Sequence, residues 1–296
     1  MGTFRIETDD TLRETVHHGN SSYPFAYYLE DISQFDFHCI DWHWHHEVEF
    51  LYVEKGTVLC TAGSDRIELP QGSAIFINSG IIHRYESKGS TIVPNIVFSP
   101  ILLAPENSLV YENYILPVIS SVTAYQVFDC RIPWQKKILR ILKKIFILQA
   151  SGHGNELQTL QLLLEIWNNL VHHIDLSSGS PDMQHIDHRQ AKLRLMMQYI
   201  QENYAHDLSL DEIAGSAAIG KSSALHLFQS FIHLAPVAYL IRYRLAKAAE
   251  QLSTTEKSVS VIAEETGFAN TGYFCRRFRR AYEMTPNEYR RKKMNV

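Results

Sequence analysis

A chain of 296 residues, 45% apolar and 20% charged, has room for about two globular domains. No run in it reaches the ~18 uncharged apolar residues of a membrane span, and residues 1–10 are polar and acidic, unlike a secretory signal. The net charge of −4 is unevenly spread: residues 189–296 carry 16 Lys+Arg against 10 Asp+Glu, whereas residues 1–188 carry 12 against 22. An acidic part joined to a basic part suggests that only the second meets a polyanion. Four scattered cysteines, Cys39, Cys60, Cys130 and Cys275, lack C-x-x-C spacing. That argues against a disulfide framework or a cysteine zinc site and for a reducing cytoplasm.

In chain order, residues 23–100 read as short strands, at 47–53, 57–62, 66–69 and 74–78. They are punctuated by Lys55-Gly56, Gly63-Ser64-Asp65, Pro70-Gln71-Gly72 and Ser79-Gly80. Short strands with regular turns predict a sandwich or barrel. After Pro133 the period changes. A helix at 134–150 puts Ile138, Leu142, Ile145 and Phe146 on one stripe, with Lys136, Lys137, Arg140 and Lys144 away from it. A second, at 155–174, carries Leu160, Leu163, Leu164, Trp167 and Val171 at helical spacing. The two predict an antiparallel hairpin, packed on the barrel or against a second subunit. Residues 176–188, rich in Ser, Gly, Pro and Asp, read as a linker. Beyond it the pattern is helical, at about 189–204, 209–217, 222–231, 237–252, 258–266, 271–282 and 286–293.

The C-terminal part writes one pattern twice: Ile213-Ala214, Phe228, Ala235-Pro236, Tyr239, then Ile262-Ala263, Phe278, Thr285-Pro286, Tyr289. The offset changes from 49 to 50 residues, so one residue is inserted near position 220. Two copies are too few for a solenoid and suit paired helix-turn-helix units. In the second unit Asn270 is placed to cap a helix in which Phe274 and Phe278 face the core. Thr271, Gly272, Tyr273, Arg276, Arg277 and Arg280 then lie on other faces. Four arginines within five residues (276, 277, 279, 280) call for an anionic partner, since arginine binds guanine or phosphate bidentately; the alternative is a solvated charged face. Lys221, Ser222, Leu225 and His226 occupy the corresponding helix of the first unit. Leu225 is able to touch a thymine methyl, and the first unit is expected to contribute weaker or more selective contacts.

The stretch Gly267-Phe268-Ala269-Asn270, Tyr273-Phe274-Cys275-Arg276-Arg277-Phe278, Thr285-Pro286 and Tyr289-Arg290 resembles the signature of AraC/XylS-type transcription regulators. The first copy matches through Leu208 to Ala214, Leu227-Phe228, Pro236, Tyr239-Leu240 and Arg244-Leu245. The resemblance covers about residues 189–296. It implies two helix-turn-helix units, bridged by one long helix, reading adjacent major-groove segments of double-stranded DNA. The chain departs from the pattern at His226 (usually arginine), at Gly272 (often serine) and at His233 and Glu283. Glycine is usual at the last two positions because helices often end there with positive φ, so a modest strain is expected.

His43, His45, Glu49 and Gly56 fit H-x-H-x3-E-x6-G, and Pro70-x-Gly72 is followed by His83 eleven residues on. This resembles the two cupin motifs, although the second lacks the usual later asparagine. The resemblance implies a small β-barrel. In metal-binding members the positions of His43, His45, Glu49 and His83 are ligands, a donor set suited to Zn, Fe, Ni or Mn. The same residues, with Tyr52, are alternatively contacts for an organic effector or simply line the barrel mouth. Trp42, Trp44 and Tyr52 suit sugar stacking or plain core.

The resulting expectation is a multidomain α+β protein. Residues 1–132 form a cupin β-barrel, 133–175 a dimerising helical hairpin, and 189–296 an all-α double helix-turn-helix domain. The leading functional expectation is a cytoplasmic, homodimeric transcription activator. It would respond to a small-molecule effector, of sugar type by resemblance only, and partner DNA and RNA polymerase but no membrane. It would need no cofactor beyond a possible divalent metal in the barrel. Two alternatives remain open: a metal-dependent cupin enzyme fused to a DNA-binding domain, and a constitutive DNA binder whose barrel only dimerises. No Ser-His-Asp, Walker or dinucleotide motif is present, so no hydrolase or nucleotide enzyme is expected.

Overall fold

The computed structural model describes residues 6–9, 12–87, 89–152, 154–176 and 181–294. Its first half contains nine strands: β1 (Phe25–Asp31), β2 (Cys39–His43), β3 (Val48–Tyr52), β4 (Thr57–Ala62), β5 (Asp65–Pro70), β6 (Ala74–Ile77), β7 (His83–Ser87), β8 (Ile92–Phe98) and β9 (Tyr125–Phe128). They form two antiparallel sheets, ordered β1-β8-β3-β6-β9 and β2-β7-β4-β5. The expected barrel is therefore not closed. Between β2 and β3 the chain crosses from one sheet to the other instead of forming a hairpin, so the described strands leave both sheets with open edges.

Strand parity sorts the residues into layers, because successive side chains point to opposite faces. On β3, Leu51 faces the space between the sheets with Val58, Cys60, Leu69 and Tyr85. Val48, Phe50 and Tyr52 face the other way, onto a hairpin made by α2 (Pro133–Ala150) and α3 (Glu156–Val171). A short helix, α1 (Leu116–Ile119), precedes β9. The predicted stripe on α2 is buried there, and Phe50 stacks among Phe76, Phe98 and Phe128.

The second half is helical throughout: α4 (Pro181–Asn203), α5 (Leu210–Ser216), α6 (Lys221–Ile232), α7 (Pro236–Thr254), α8 (Val259–Glu265), α9 (Thr271–Tyr282) and α10 (Pro286–Met294). The linker expectation for 176–188 is corrected. Residues 181–188 already belong to α4, and 177–180 lie outside the described residues. Pro181 is tolerated in a first helical turn, and no Gly or Pro follows it in α4, so nothing breaks the helix before Asn203.

The repeat becomes two trihelical units sharing α7. Ser209 and Glu212 cap α5 reciprocally, and Ser258 accepts from the Val261 N–H to cap α8. The turn from α5 to α6 spans 217–220 and that from α8 to α9 spans 266–270, which places the extra residue in the second turn. Gly267 holds φ +82 in that turn, where an added Cβ would lie 2.7 Å from the Tyr204 carbonyl oxygen. The same carbonyl accepts from Arg244 Nε at 2.7 Å, so one α7 side chain ties the second turn to the end of α4. Both recognition helices end in the left-handed region, His233 at φ 52 and Glu283 at φ 58, as the glycine expectation anticipated.

The two halves pack together through the four-stranded sheet. Leu12, Trp42, Trp44 and Ile82 join the core of the first helical unit. Arg194 of α4 lies 4.1 Å from the Trp44 ring centroid and donates to the Gly80 carbonyl. Arg242 of α7 meets Asp41 at 3.2 Å and sits 4.6 Å from the Phe37 ring, which itself packs at a tilt against Tyr282, 4.8 Å between centroids.

Candidate functional site

Two surfaces carry chemistry. The first is the exposed face of α6 and α9. Phe274 and Phe278 are fully buried and fix the rotation of α9, leaving Thr271, Gly272, Tyr273, Arg276 and Arg280 exposed. Asn270 accepts from the Tyr273 N–H at 2.8 Å, so its carbonyl oxygen is committed to the cap. Arg277 is half-buried and stands 6.0 Å over the Tyr273 ring. Among the described residues, Arg276, Arg277, Arg279 and Arg280 form no ion pair. Clustered guanidinium groups repel one another, and an external polyanion relieves that repulsion.

On α6, Ala224, Leu227, Phe228 and Phe231 are buried, and Lys221, Ser222, Leu225 and His226 are exposed as expected. Lys221 is drawn 2.7 Å from Asp211, which blunts its charge. Arg189 Nη2 lies 3.5 Å from His226 Nε2, and with Lys192 it walls a groove beside Ser222 and Ser223. These α4 cations were not predicted: they fall in the expected helix at 189–204, but their place beside α6 is a tertiary contact that the sequence does not show.

The second surface is a cavity of about 180 Å³ between the sheets. At one end His43, His45, Glu49 and His83 bring their donor atoms within 4.8 Å of one another, all buried. A register shift in β2 between Ile40 and His43 lets Asp41 and Trp42 face the helical half while His43 turns inward. His83, paired with His43 across β7, packs its ring 4.1 Å from the His43 ring.

Each imidazole is oriented by the backbone: Nδ1 lies 2.8 Å from the Asp41 carbonyl in His43, 3.1 Å from that of Glu47 in His45 and 2.8 Å from that of Ile81 in His83. A carbonyl only accepts, so each Nδ1 carries the proton and each Nε2 is turned to the centre. Glu49 Oε2 lies 3.0 Å from His83 Nε2 and 3.6 Å from His45 Nε2, and the latter has no hydrogen-bond partner. Three inward imidazole nitrogens and one carboxylate, locked by carbonyls behind them, fit a divalent transition cation.

At His43 and Glu49 the electrostatics suit that donor set, whereas at His45 burial is outweighed by Glu49, which holds the imidazole above its usual range. Burial, and then His83, lower the His43 pKa to about 3, keeping it a neutral donor. Burial works to raise Glu49, but His45 and His83 outweigh it and hold the carboxyl well below the usual range.

The rest of the cavity wall was not predicted. Glu14, His18, Tyr28, Glu30 and Asn95 line it. His18 links Glu14, at 3.2 Å, to the Tyr28 hydroxyl, at 2.9 Å. Burial, and then the charge of Glu49, push Glu30 up to about 7 against a hydrogen bond from Asn95. Tyr52 is corrected: it is three residues from Glu49, hence on the opposite face of β3, and packs on Phe146 and under Lys143. Trp42 and Trp44 likewise turn away from the cavity, toward the helical half.

Residues 213–292 match the family profile described as a helix-turn-helix domain, and residues 39–96 match that of a cupin domain. The chain is 29% identical to "Uncharacterized HTH-type transcriptional regulator YdeC" of Bacillus subtilis, over 97% of this chain and 98% of that one. It is 24% identical to "HTH-type transcriptional activator RhaS" of Mannheimia succiniciproducens, over 84% and 88% of the two chains. A solved AraC-type DNA-binding-domain regulator from Chromobacterium violaceum is 28% identical over 35% of this chain and 93% of its own, with a TM-score of 0.34. The chain is a DNA-binding transcription regulator. It is of AraC type and carries an N-terminal cupin domain. Among the described residues no single helix is long and apolar enough to cross a membrane.

Proposed function

We propose that the cupin domain is a sensor rather than an enzyme, and that ligand in its cavity controls how the two helix-turn-helix units meet DNA. One observation carries this reading: the cavity and the interdomain contact share strands. On β2 and its extension, His43 and His45 face inward while Trp42 and Trp44 face the first helical unit. On β7, His83 points inward, and the residue before it, Ile82, packs on the same unit. The Gly80 N–H donates to the His45 carbonyl at 2.8 Å, while the Gly80 carbonyl accepts from Arg194. A shift of His45 or His83 on binding therefore moves the residues that hold α4, α6 and α7. Such a shift changes DNA affinity only if the ligand prefers one arrangement over the other.

His43, His45, Glu49 and His83 would hold a divalent cation, which would supply a Lewis-acidic anchor for an oxygen or nitrogen of the effector. The chain's own part is to fix those donors and to exclude water. The working form in this reading is a cytoplasmic homodimer, with the hairpin as its contact: Leu157 and Leu164 of α3 are 80% and 41% exposed on one side of that helix. RhaS relatives named as activators support activation, with RNA polymerase as the further partner.

The test is to titrate full-length protein with Co²⁺ or Ni²⁺ and to follow binding to a duplex panel with and without metal. One equivalent bound, lost in His43→Ala and His83→Ala, together with a changed DNA affinity, is expected. Metal binding with identical DNA affinity and identical protease sensitivity between the halves would defeat the coupling.

A further inference from the structure

The cavity next to the histidine cluster has an uneven wall. Ile6, Val16, Phe35, Ile40 and Val97 give it apolar patches beside its acidic, imidazole, phenol and amide groups. Three carboxylates reach it, from Glu14, Glu30 and Glu49, and among the described residues no Lys or Arg does. Two of the three have an imidazole beside them, Glu14 that of His18 at 3.2 Å and Glu49 that of His83 at 3.0 Å. Among the described residues Glu30 is in no ion pair. Its described hydrogen-bond partner is the Asn95 amide, at 3.1 Å. Asn95 is 4% exposed, and its Oδ1 has no partner. Thus, among the described residues, a carboxyl group without a countercharge and a buried, unsatisfied acceptor stand together at the cavity, with Tyr28, Phe35 and Tyr85 among the other lining residues.

Such a wall discriminates among ligand classes. An organic anion would meet three carboxylates and no positive side chain. A polyol would leave hydroxyls unpaired against Ile6, Val16, Ile40 and Val97, which is unfavourable in a dry site. A primary ammonium offers three N–H donors, enough for Glu30 and Asn95 Oδ1 together, and its hydrocarbon body suits the apolar wall. Aromatic faces nearby favour a cation as well. The cavity is small, at about 180 Å³, so the body is short.

We infer that the sensor cavity takes a small organic cation, a primary ammonium on a short hydrocarbon chain, seated on Glu30 and Asn95. The inference rests on the sensor reading above, and it replaces the sugar-type effector that resemblance alone implied. It does not depend on the metal, because Glu30 is not among the four cation donors.

The experiment compares isosteric probes on the full-length chain: n-butylammonium, n-butanol and butyrate, with sorbitol as the polyol arm. Calorimetric titration and thermal shift are the readouts, each taken with chelator and with Ni²⁺. Butylammonium is expected to bind at least about tenfold more tightly than butanol, as a charge-assisted contact should. Butyrate and sorbitol should bind more weakly still. In Glu30→Gln the advantage of the ammonium over butanol should disappear, while Ni²⁺ affinity stays as in the unaltered chain. Asn95→Asp, which adds a carboxylate at the same place, should retain or increase the advantage. Equal binding of ammonium and alcohol, tighter binding of butyrate or sorbitol, or no response to butylammonium overturns the cation assignment. If sorbitol or butyrate binds instead, the sensor reading survives and the ligand class falls. If Ni²⁺ and every organic probe leave both stability and DNA affinity unchanged, the sensor reading falls too.

Discussion

The two helix-turn-helix units share one frame and use it differently. Both bury a Phe from the recognition helix and a Tyr from the helix that follows, Phe228 with Tyr239 and Phe278 with Tyr289. Both stop that helix in the left-handed region. Yet, among the described residues, four of the cupin domain enter the core of the first unit, whereas Phe37 alone packs on that of the second. The charge distribution runs the other way. α9 presents four unpaired arginines, while α6 presents a lysine tied to Asp211, a serine, a leucine and a histidine. The contrast teaches a division of labour. In the proposed sensor reading, the unit fastened to the cupin domain is the one a ligand would move, and the other unit would supply most of the electrostatic attraction to DNA.

Removing the fastening should show the largest effect. Trp44 is buried against the first unit and carries Arg194 on its face, so Trp44→Ala should cost about 3 kcal/mol or more. Phe37, half-buried beside Tyr282, should cost about 1 kcal/mol as Phe37→Ala. Urea unfolding of full-length protein measures both. Equal losses would mean that the sensor grips the units alike, and the asymmetry would go.

The turns differ nearly as much. At Gly267 an alanine meets both a positive φ and the Tyr204 carbonyl at 2.7 Å, whereas at Gly220 an added Cβ meets nothing within 4 Å. Gly267→Ala should lose about 2 kcal/mol or more from left-handed strain and the clash together. Gly220→Ala should lose well under about 1 kcal/mol. Thermal unfolding separates them. A mild Gly267→Ala would show that Arg244 and the turn readjust freely.

On DNA, Arg276→Ala should weaken specific binding by about 1–3 kcal/mol if Arg276 reads a base, and relax preference at one base pair. Loss of a phosphate contact would instead lower the salt slope by about 1. His226→Ala on the first unit should cost less than Arg276→Ala. A reversed order, measured by salt-dependent titration of one operator duplex, would move the affinity to the first unit.

How much of this was legible depends on how local each determinant is. The repeat, its caps at Ser209, Ser258 and Asn270, and the left-handed stops rest on residues a few positions apart, and the predicted helices agree closely with those observed. The start of α4 was hidden because Gly179-Ser180-Pro181 reads equally as a loop or as a helix start. The metal-type quartet was implied by the resemblance to the cupin motifs, and its convergence is seen in the structure. Tyr52 was misplaced although parity was available, since an odd separation from Glu49 puts it on the other face. The open sheets and the Glu30–Asn95 pair were not legible. They depend on which distant strands become neighbours, and Glu30 and Asn95 are 65 residues apart in sequence.

The smallest effect bears on a departure that both units share, a side chain where glycine is usual. His233 and Glu283 sit at φ 52 and 58, where a β-carbon crowds the backbone and glycine does not. Replacing either with glycine should relieve that crowding. It also frees the unfolded chain, which offsets part of the gain. A net stabilisation of about 0.5–1 kcal/mol for each is expected in thermal unfolding. The two should add, because they lie in separate cores with no shared partner. His233 Nε2 is buried without a hydrogen bond, so His233→Gly also removes an unsatisfied polar atom and should gain the more. If Glu283→Gly gains more instead, the cost in the first unit is already relieved by contacts to His233, and that stop is less strained than its backbone angle implies.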